Sequence, residues 1–153
     1  MSARTPKERS WLMAADVLNL EQRRRCMAAV RAKDTVPELR LRCQLHALGY
    51  RFRLHAAALP GKPDLVFPGR RVAIFVHGCF WHRHNCKAGR SLPATRAEFW
   101  SKKLTANRER DKSNLRHLHE LGWRVFVVWE CEIRKQDIEK LLRNLTAFLD
   151  DTR

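Results

Sequence analysis

Lys62-Pro63-Asp64-Leu65-Val66-Phe67-Pro68-Gly69-Arg70-Arg71-Val72-Ala73-Ile74-Phe75-Val76-His77-Gly78-Cys79-Phe80-Trp81-His82-Arg83-His84-Asn85-Cys86 is the stretch that decides how the rest of the chain is read. Asp64 to Phe67 and Arg71 to Val76 are short apolar runs separated by Pro68-Gly69, and runs of that length bounded by turn residues are strands. The second is almost wholly apolar after Arg71, as expected of a central strand covered on both faces. Histidines, thiols and large aromatics crowd the chain directly beyond its end. That is more chemistry than a structural hairpin requires, and it reads as an active site fused to a metal site.

Working outward, Tyr50 to His55 alternates apolar and basic residues and predicts a half-buried strand with its arginines in water. Before it, Thr35-Val36-Pro37-Glu38 opens a helix as a capping box, Leu41, Leu45 and Leu48 recur at helical spacing, and Gly49 stops it. After the histidines, Thr95-Arg96-Ala97-Glu98 repeats the box pattern and predicts a long polar helix ending at Gly122. Trp123 to Trp129 is a further strand, and Ile138, Leu141, Leu142, Leu145 and Phe148 mark a last amphipathic helix. Helix, three strands, helix, strand, helix is a mixed α/β order, a small sheet covered by helices. Residues 1–15 lack periodicity and are expected to be a mobile arm, with 16–153 forming a single domain.

Lys and Arg number 31 against 16 Asp and Glu, a net charge of +15. An anionic partner is therefore expected, nucleic acid first. Between Glu21 and Arg31, a cationic side carrying Arg23, Arg24, Arg25 and Arg31 opposes an apolar one, which suits phosphate contact. Apolar runs fall far short of the roughly 20 residues a membrane span needs, and no charged start leads into an apolar secretion segment, so a soluble, cytoplasmic protein is expected. The cysteines number five, an odd count, and Cys79, Cys86 and Cys131 sit among histidines and tryptophans, which favours metal over disulfide. Cys26 and Cys43 lie in helical patterns as small apolar residues without a role.

Cys79, His84 and Cys86 with Cys131 make a Cys₃His set, a normal complement for structural Zn²⁺ with no open coordination position. On composition alone His82 or His77 could replace His84. Asp64 and the carbonyl of Val76 can meet at one end of a hairpin, and hard oxygen ligands at a sheet edge suit Mg²⁺. On a basic protein that predicts phosphodiester hydrolysis. His82 is free for proton transfer near neutrality, and His77 could orient a water. Phe80, Trp81 and Trp100 lie in a basic context and could wedge between base pairs. The plainer alternatives are a turn aspartate at Asp64, a capping partner at Glu38, loop histidines and core aromatics, with Trp123 and Trp129 assigned to packing.

Lys33-Asp34-Thr35 with Glu38, Leu59-Pro60-Gly61-Lys62-Pro63-Asp64, His77-Gly78-Cys79-Phe80-Trp81-His82, Glu98-Phe99-Trp100, Asn107 with Arg110-Asp111, and Gly122-Trp123-Arg124-Val125 leading to Trp129-Glu130-Cys131 together resemble the very-short-patch repair (Vsr) DNA mismatch endonucleases. The match runs from about Asp16 to Cys131. It implies a restriction-endonuclease-like, PD-(D/E)xK-type core that nicks one strand of double-stranded DNA on the 5′ side of the thymine in a T·G mismatch, the product of 5-methylcytosine deamination. By the same resemblance Asp64 and the Val76 carbonyl bind Mg²⁺, His82 transfers the proton, and Glu38 and His77 hold metal-bound water. Phe80, Trp81 and Trp100 insert into DNA, while Cys79, His84, Cys86 and Cys131 bind zinc. A monomer with other mismatch-repair proteins as partners is expected. At Val76 the best-known members carry threonine, an exchange that a main-chain ligand tolerates. Two other readings are a restriction-like nuclease with another duplex substrate and a zinc-stabilised DNA-binding module without catalysis.

Overall fold

The computed structural model describes Glu21, residues 33–135 and residues 138–151. The expected N-terminal arm, the domain boundary after it, Cys26 and the arginines of the cationic helix lie outside the described residues. Helix α1 (Val36–Ala47) begins at the expected cap: Thr35 Oγ1 accepts the Glu38 N–H at 3.5 Å, and the Glu38 carboxylate reaches back to accept the Asp34 N–H at 2.9 Å. It ends as expected before Gly49, whose φ of +91 suits glycine. Leu41 and Leu45 are buried, but Leu48 is exposed because the helical face has already turned outward at the C-cap.

Strand β1 is only Arg53–Leu54, shorter than the expected Tyr50 to His55. Its partner β2 (Leu65–Phe67) is three residues long between two proline turns, so little ladder is available, and His55 turns away with φ +48. Tyr50 and Phe52 still face the core while Arg51 and Arg53 stay exposed. A single 3₁₀ turn, Pro68–Arg70, leads into β3 (Val72–His77). A short helix α2 (Lys87–Arg90) follows, then α3 (Ala97–Glu120), β4 (Arg124–Trp129), a short α4 (Glu130–Arg134) and α5 (Glu139–Asp150). The long helix starts one residue later than the Thr95 pattern predicts. Arg96 is the N-cap in a left-handed conformation, with no side-chain cap hydrogen bond, and the Glu98 carboxylate pairs with Lys102 at 2.8 Å.

The sheet order is β1-β2-β3-β4, antiparallel up to β3 and parallel between β3 and β4. Strand β3 is thus internal and buried on both faces, as its unbroken apolar run predicts. On one face Leu65, Phe67, Val72, Ile74 and Val128 meet Leu41 and Leu45 of α1, Ile133 of α4 and Leu141, Leu145 and Leu149 of α5. Ala73, Phe75 and His77 point the other way, by strand alternation, toward α3, which packs on β4 and buries Leu104 and Leu118. The architecture is therefore a mixed α/β sheet flanked by helices. Among the described residues no helix is long and apolar enough to cross a membrane.

Leu45 is fully buried and anchors α1 to the sheet. Leu45→Ala should cost about 2–5 kcal/mol, seen as a lower urea midpoint at unchanged slope. A change within about 0.5 kcal/mol, the scale of a surface substitution, would mean that α1 is not anchored there.

Candidate active site and metal centre

Strands β3 and β4 are paired in parallel with His77 opposite Trp129. Both chains therefore leave the sheet at the same end, and the residues that follow, Gly78-Cys79 and Glu130-Cys131, emerge side by side. The ligand atoms of Cys79, His84, Cys86 and Cys131 all lie within 4.8 Å of one another. Cys131 Sγ is 3.5 Å from His84 Nδ1. A tetrahedral site with metal–sulfur bonds of about 2.3 Å and metal–nitrogen of about 2.0–2.1 Å has an S···N edge of roughly 3.6 Å, so the donor set fits such an ion. Of the rings that composition left open, His84 is the one in the group; His77 and His82 belong to another.

The loop between these ligands is tightly wound. His82 donates its N–H to the Gly78 carbonyl at 3.1 Å and His84 to that of Cys79 at 3.0 Å. Gly89 approaches so closely that a Cβ there would lie 1.9 Å from the His84 carbonyl oxygen, and its N–H points to Cys86 Sγ at 3.5 Å. Burial pushes the Cys79 thiol up to about 12 and raises that of Cys131. Cys86, although burial opposes its ionisation too, is drawn down to about 6 by the Gly89 N–H and by His84 and Cys79. Three clustered thiols cannot all ionise without a cation, and a divalent metal would supply it.

A second cluster joins His77, His82 and Asp111 within the same 4.8 Å limit. The rings of His77 and His82 stack with centroids 3.8 Å apart and planes 5° from parallel. His82 Nδ1 lies 2.5 Å from Asp111 Oδ2, a carboxylate delivered by α3. His77 is buried, and desolvation with the neighbouring His82 holds its pKa down to about 4, so its ring is neutral at pH 7. Trp129 connects the two clusters, stacked on His84 at 4.4 Å and edge-on to His77 at 5.3 Å. Trp129 thus packs as expected, against both clusters.

Asp64 sits opposite the same end of β3, accepting the Val76 N–H at 2.7 Å. Asp64 and the Val76 main chain thus meet at one end of the hairpin. Burial raises the Asp64 pKa to about 6, with the Val76 N–H opposing and the charge of Glu38 adding to the rise, while His55 and Arg42 pull it down. A half-buried carboxylate short of positive charge suits a divalent cation. Asp64 is in neither of the three-membered groups described for Asp34, Glu38 and His55 or for His77, His82 and Asp111. Glu38 is buried and partly occupied: Oε1 accepts the Thr35 hydroxyl at 3.0 Å, and Oε2 the Asp34 N–H and Arg42 Nη2.

Phe80, Trp81 and Trp100 form one half-buried surface cluster with centroids 5.1–6.0 Å apart. Phe99 joins them through Trp100, and the Lys103 ammonium lies 5.4 Å from the Trp100 ring centre. Asn107 of α3 ties the Trp81 carbonyl to the same helix at 3.3 Å.

Sequence reasoning gave no role to Asp111, Asn107, Arg42, His55 or Asp34. One signal was available in α3. Leu104, Asn107, Asp111, Asn114 and Leu118 fall on its inward stripe, where polar residues at apolar positions mark a buried polar task. Arg42 stands four residues after Glu38, the spacing of a helical ion pair, but no local signal marks His55, which it meets only through the tertiary fold.

The family model for DNA mismatch endonuclease Vsr matches residues 15–88. Among similar proteins, the Type II nicking enzyme V.XorIIP of Xanthomonas oryzae pv. oryzae is 52% identical over 131 residues, covering 85% of this chain and 96% of that protein. DNA mismatch endonuclease Vsr of Escherichia coli is 46% identical over 123 residues, covering 80% and 78%. Type II nicking enzyme V.NmeAIP of Neisseria meningitidis is 37% identical over 137 residues, covering 88% and 97%. With the Cys/His group, the paired histidines and the strand-end aspartate in place, these likenesses assign the chain to the DNA mismatch endonuclease Vsr family.

Proposed function

We propose that this protein is a restriction-endonuclease-like DNA mismatch endonuclease that nicks one strand of a duplex 5′ to the thymine of a T·G mismatch. The observation that carries the reading is that the Asp64 carboxylate, on the Val76 main chain, and the His77–His82–Asp111 cluster share one end of β3. Asp64 and the Val76 carbonyl are the residues that would hold Mg²⁺. When bound, that ion supplies Lewis-acid polarisation of the phosphoryl oxygen and a lowered pKa for water.

The chain's own residues supply the rest. With Nδ1 carrying the hydrogen toward Asp111, the His82 ring presents Nε2 as the acceptor for a proton from the attacking water. Asp111 fixes that tautomer, and the neutral His77 ring fixes the plane of His82 by stacking on it. A new bond from water oxygen to phosphorus forms as the bond from phosphorus to the leaving oxygen breaks, the leaving oxygen takes a proton from solvent, and His82 later returns its proton to solvent. Glu38 and His77 orient the water. The Cys79–His84–Cys86–Cys131 set would hold zinc and keep the loop wound, with no open position for chemistry. Phe80, Trp81 and Trp100 form the wedge that enters the base stack, and the chain's positive charge supplies phosphate attraction.

The direct test is a nicking assay on matched and T·G-mismatched versions of one duplex across several flanking sequences, with and without Mg²⁺. A single nick confined to the mismatched strand and to Mg²⁺ is expected; equal nicking of matched DNA, or nicking in a chelator, would sink the reading. Asp64 gives a second prediction with two readouts. Asp64→Asn should lower the nicking rate by about 10²–10³-fold or more. The folded pKa of about 6 lies above the ordinary 3.8, so the ionised carboxylate destabilises the metal-free fold above pH 6 and ceases to do so below pH 3.8. The same variant should therefore raise the Tm of metal-free protein well above pH 6 and leave it unchanged near pH 3.8. A Tm gain at both pH values would argue against this electrostatic origin.

A further inference from the structure

Arg42 stands beside the proposed centre without a part in it so far. Its Nη1 donates to Asp34 Oδ1 at 2.7 Å, and its Nη2 lies 3.0 Å from Glu38 Oε2 and 3.1 Å from His55 Nε2. One guanidinium therefore joins the residue before the α1 cap, the first turn of α1 and the loop leaving β1. That loop is bound to the site directly, since the His55 N–H donates to the Asp64 carbonyl at 3.2 Å. The Asp34, Glu38 and His55 ligand atoms lie close enough to hold a metal ion, but the guanidinium already sits among them.

Three features speak for a positional task over a stabilising one. The Glu38 and Arg42 side chains are 4% and 10% exposed, and a pair buried this deeply recovers little net stability against its desolvation cost. Asp34 and His55 both adopt left-handed backbone, φ 57 and 48, while turning their side chains to Arg42. Arg42 Nε is buried without a hydrogen-bond partner among the described residues, so the guanidinium satisfies its carboxylates at the expense of its own donor. Local rules broken together in one place point to function.

We infer that Arg42 is a positioning residue for strand nicking: it fixes the Glu38 carboxylate by gripping Oε2, without touching substrate. This rests on the nuclease reading above. Lysine cannot substitute, because a single ammonium cannot engage Asp34 and Glu38 through two separate fixed nitrogens.

The test is single-turnover and steady-state nicking of a T·G duplex by wild type, Arg42→Lys, Arg42→Ala, Glu38→Gln and the double variants, with each fold checked by circular dichroism and Tm. Arg42→Lys should lower kcat by about 10–100-fold with KM for DNA within twofold. In a Glu38→Gln background the same change should cost no more than about twofold further, since a residue acting through another is non-additive with it. Folded Arg42 variants with wild-type kcat, a loss confined to KM, or additive losses with Glu38→Gln would each overturn the inference while leaving the nuclease reading intact. Failure of both Arg42 variants to fold would also overturn it, by making the role structural. A wild-type protein with no Mg²⁺-dependent nick overturns the nuclease reading itself and this inference with it.

Discussion

The parallel register of β3 on β4, which sets His77 opposite Trp129, is the constraint on which everything at the site depends. Parallel strands need a crossover, and here α3 provides it, so the element that closes the sheet also delivers Asp111 to His82 and Asn107 to the Trp81 carbonyl. Both strands stop at the same level, and the chain beyond each carries a cysteine. A slip of one residue would turn His77 to the opposite face and separate Cys79 from Cys131. The apolar filling of both faces of β3 makes that slip costly, so ordinary core packing also enforces the site.

Electrostatics divides the site into four groups, each with a different answer to crowded charge. The thiols resist joint ionisation and suit a soft cation. Asp64, raised to about 6 by burial and by Glu38, suits a hard one. Asp34 and Glu38 already have theirs in the Arg42 guanidinium. In the histidine stack His82 lies against the Asp111 carboxylate, while burial holds the His77 ring neutral. These negative and neutral groups lie within a protein of net charge +15, a balance suited to an anionic partner.

Much of this was legible in the sequence because it is local. The unbroken apolar run before His77 announced an internal strand, Thr35 and Glu38 announced a cap, and spacing drew Cys79, His84 and Cys86 together. What escaped was set by tertiary context. Tyr50 to His55 has the alternation of a full strand but finds only the three residues of β2 to pair with. Thr95 to Glu98 has the letters of a capping box with Thr95 as cap, yet Arg96, in left-handed backbone, is the N-cap. Asp111 was readable as a polar residue on an inward stripe. The contact of Arg42 with His55 was not, since 13 residues and a strand separate partners whose side chains lie 3.1 Å apart.

The central claim is that a metal performing no chemistry holds the Cys79–Cys86 loop so that His82 meets Asp111 and the aromatic cluster keeps its shape. It is tested most directly by removing metal from the folded protein with a chelator, following bound zinc by elemental analysis alongside nicking rate and tryptophan fluorescence. The account predicts one zinc per chain, and a nicking rate that falls in proportion to zinc lost and returns on its restoration, with Trp81, Trp100 and Trp129 reporting the disordering. A folded, zinc-free protein that nicks a T·G duplex at the full rate would contradict it.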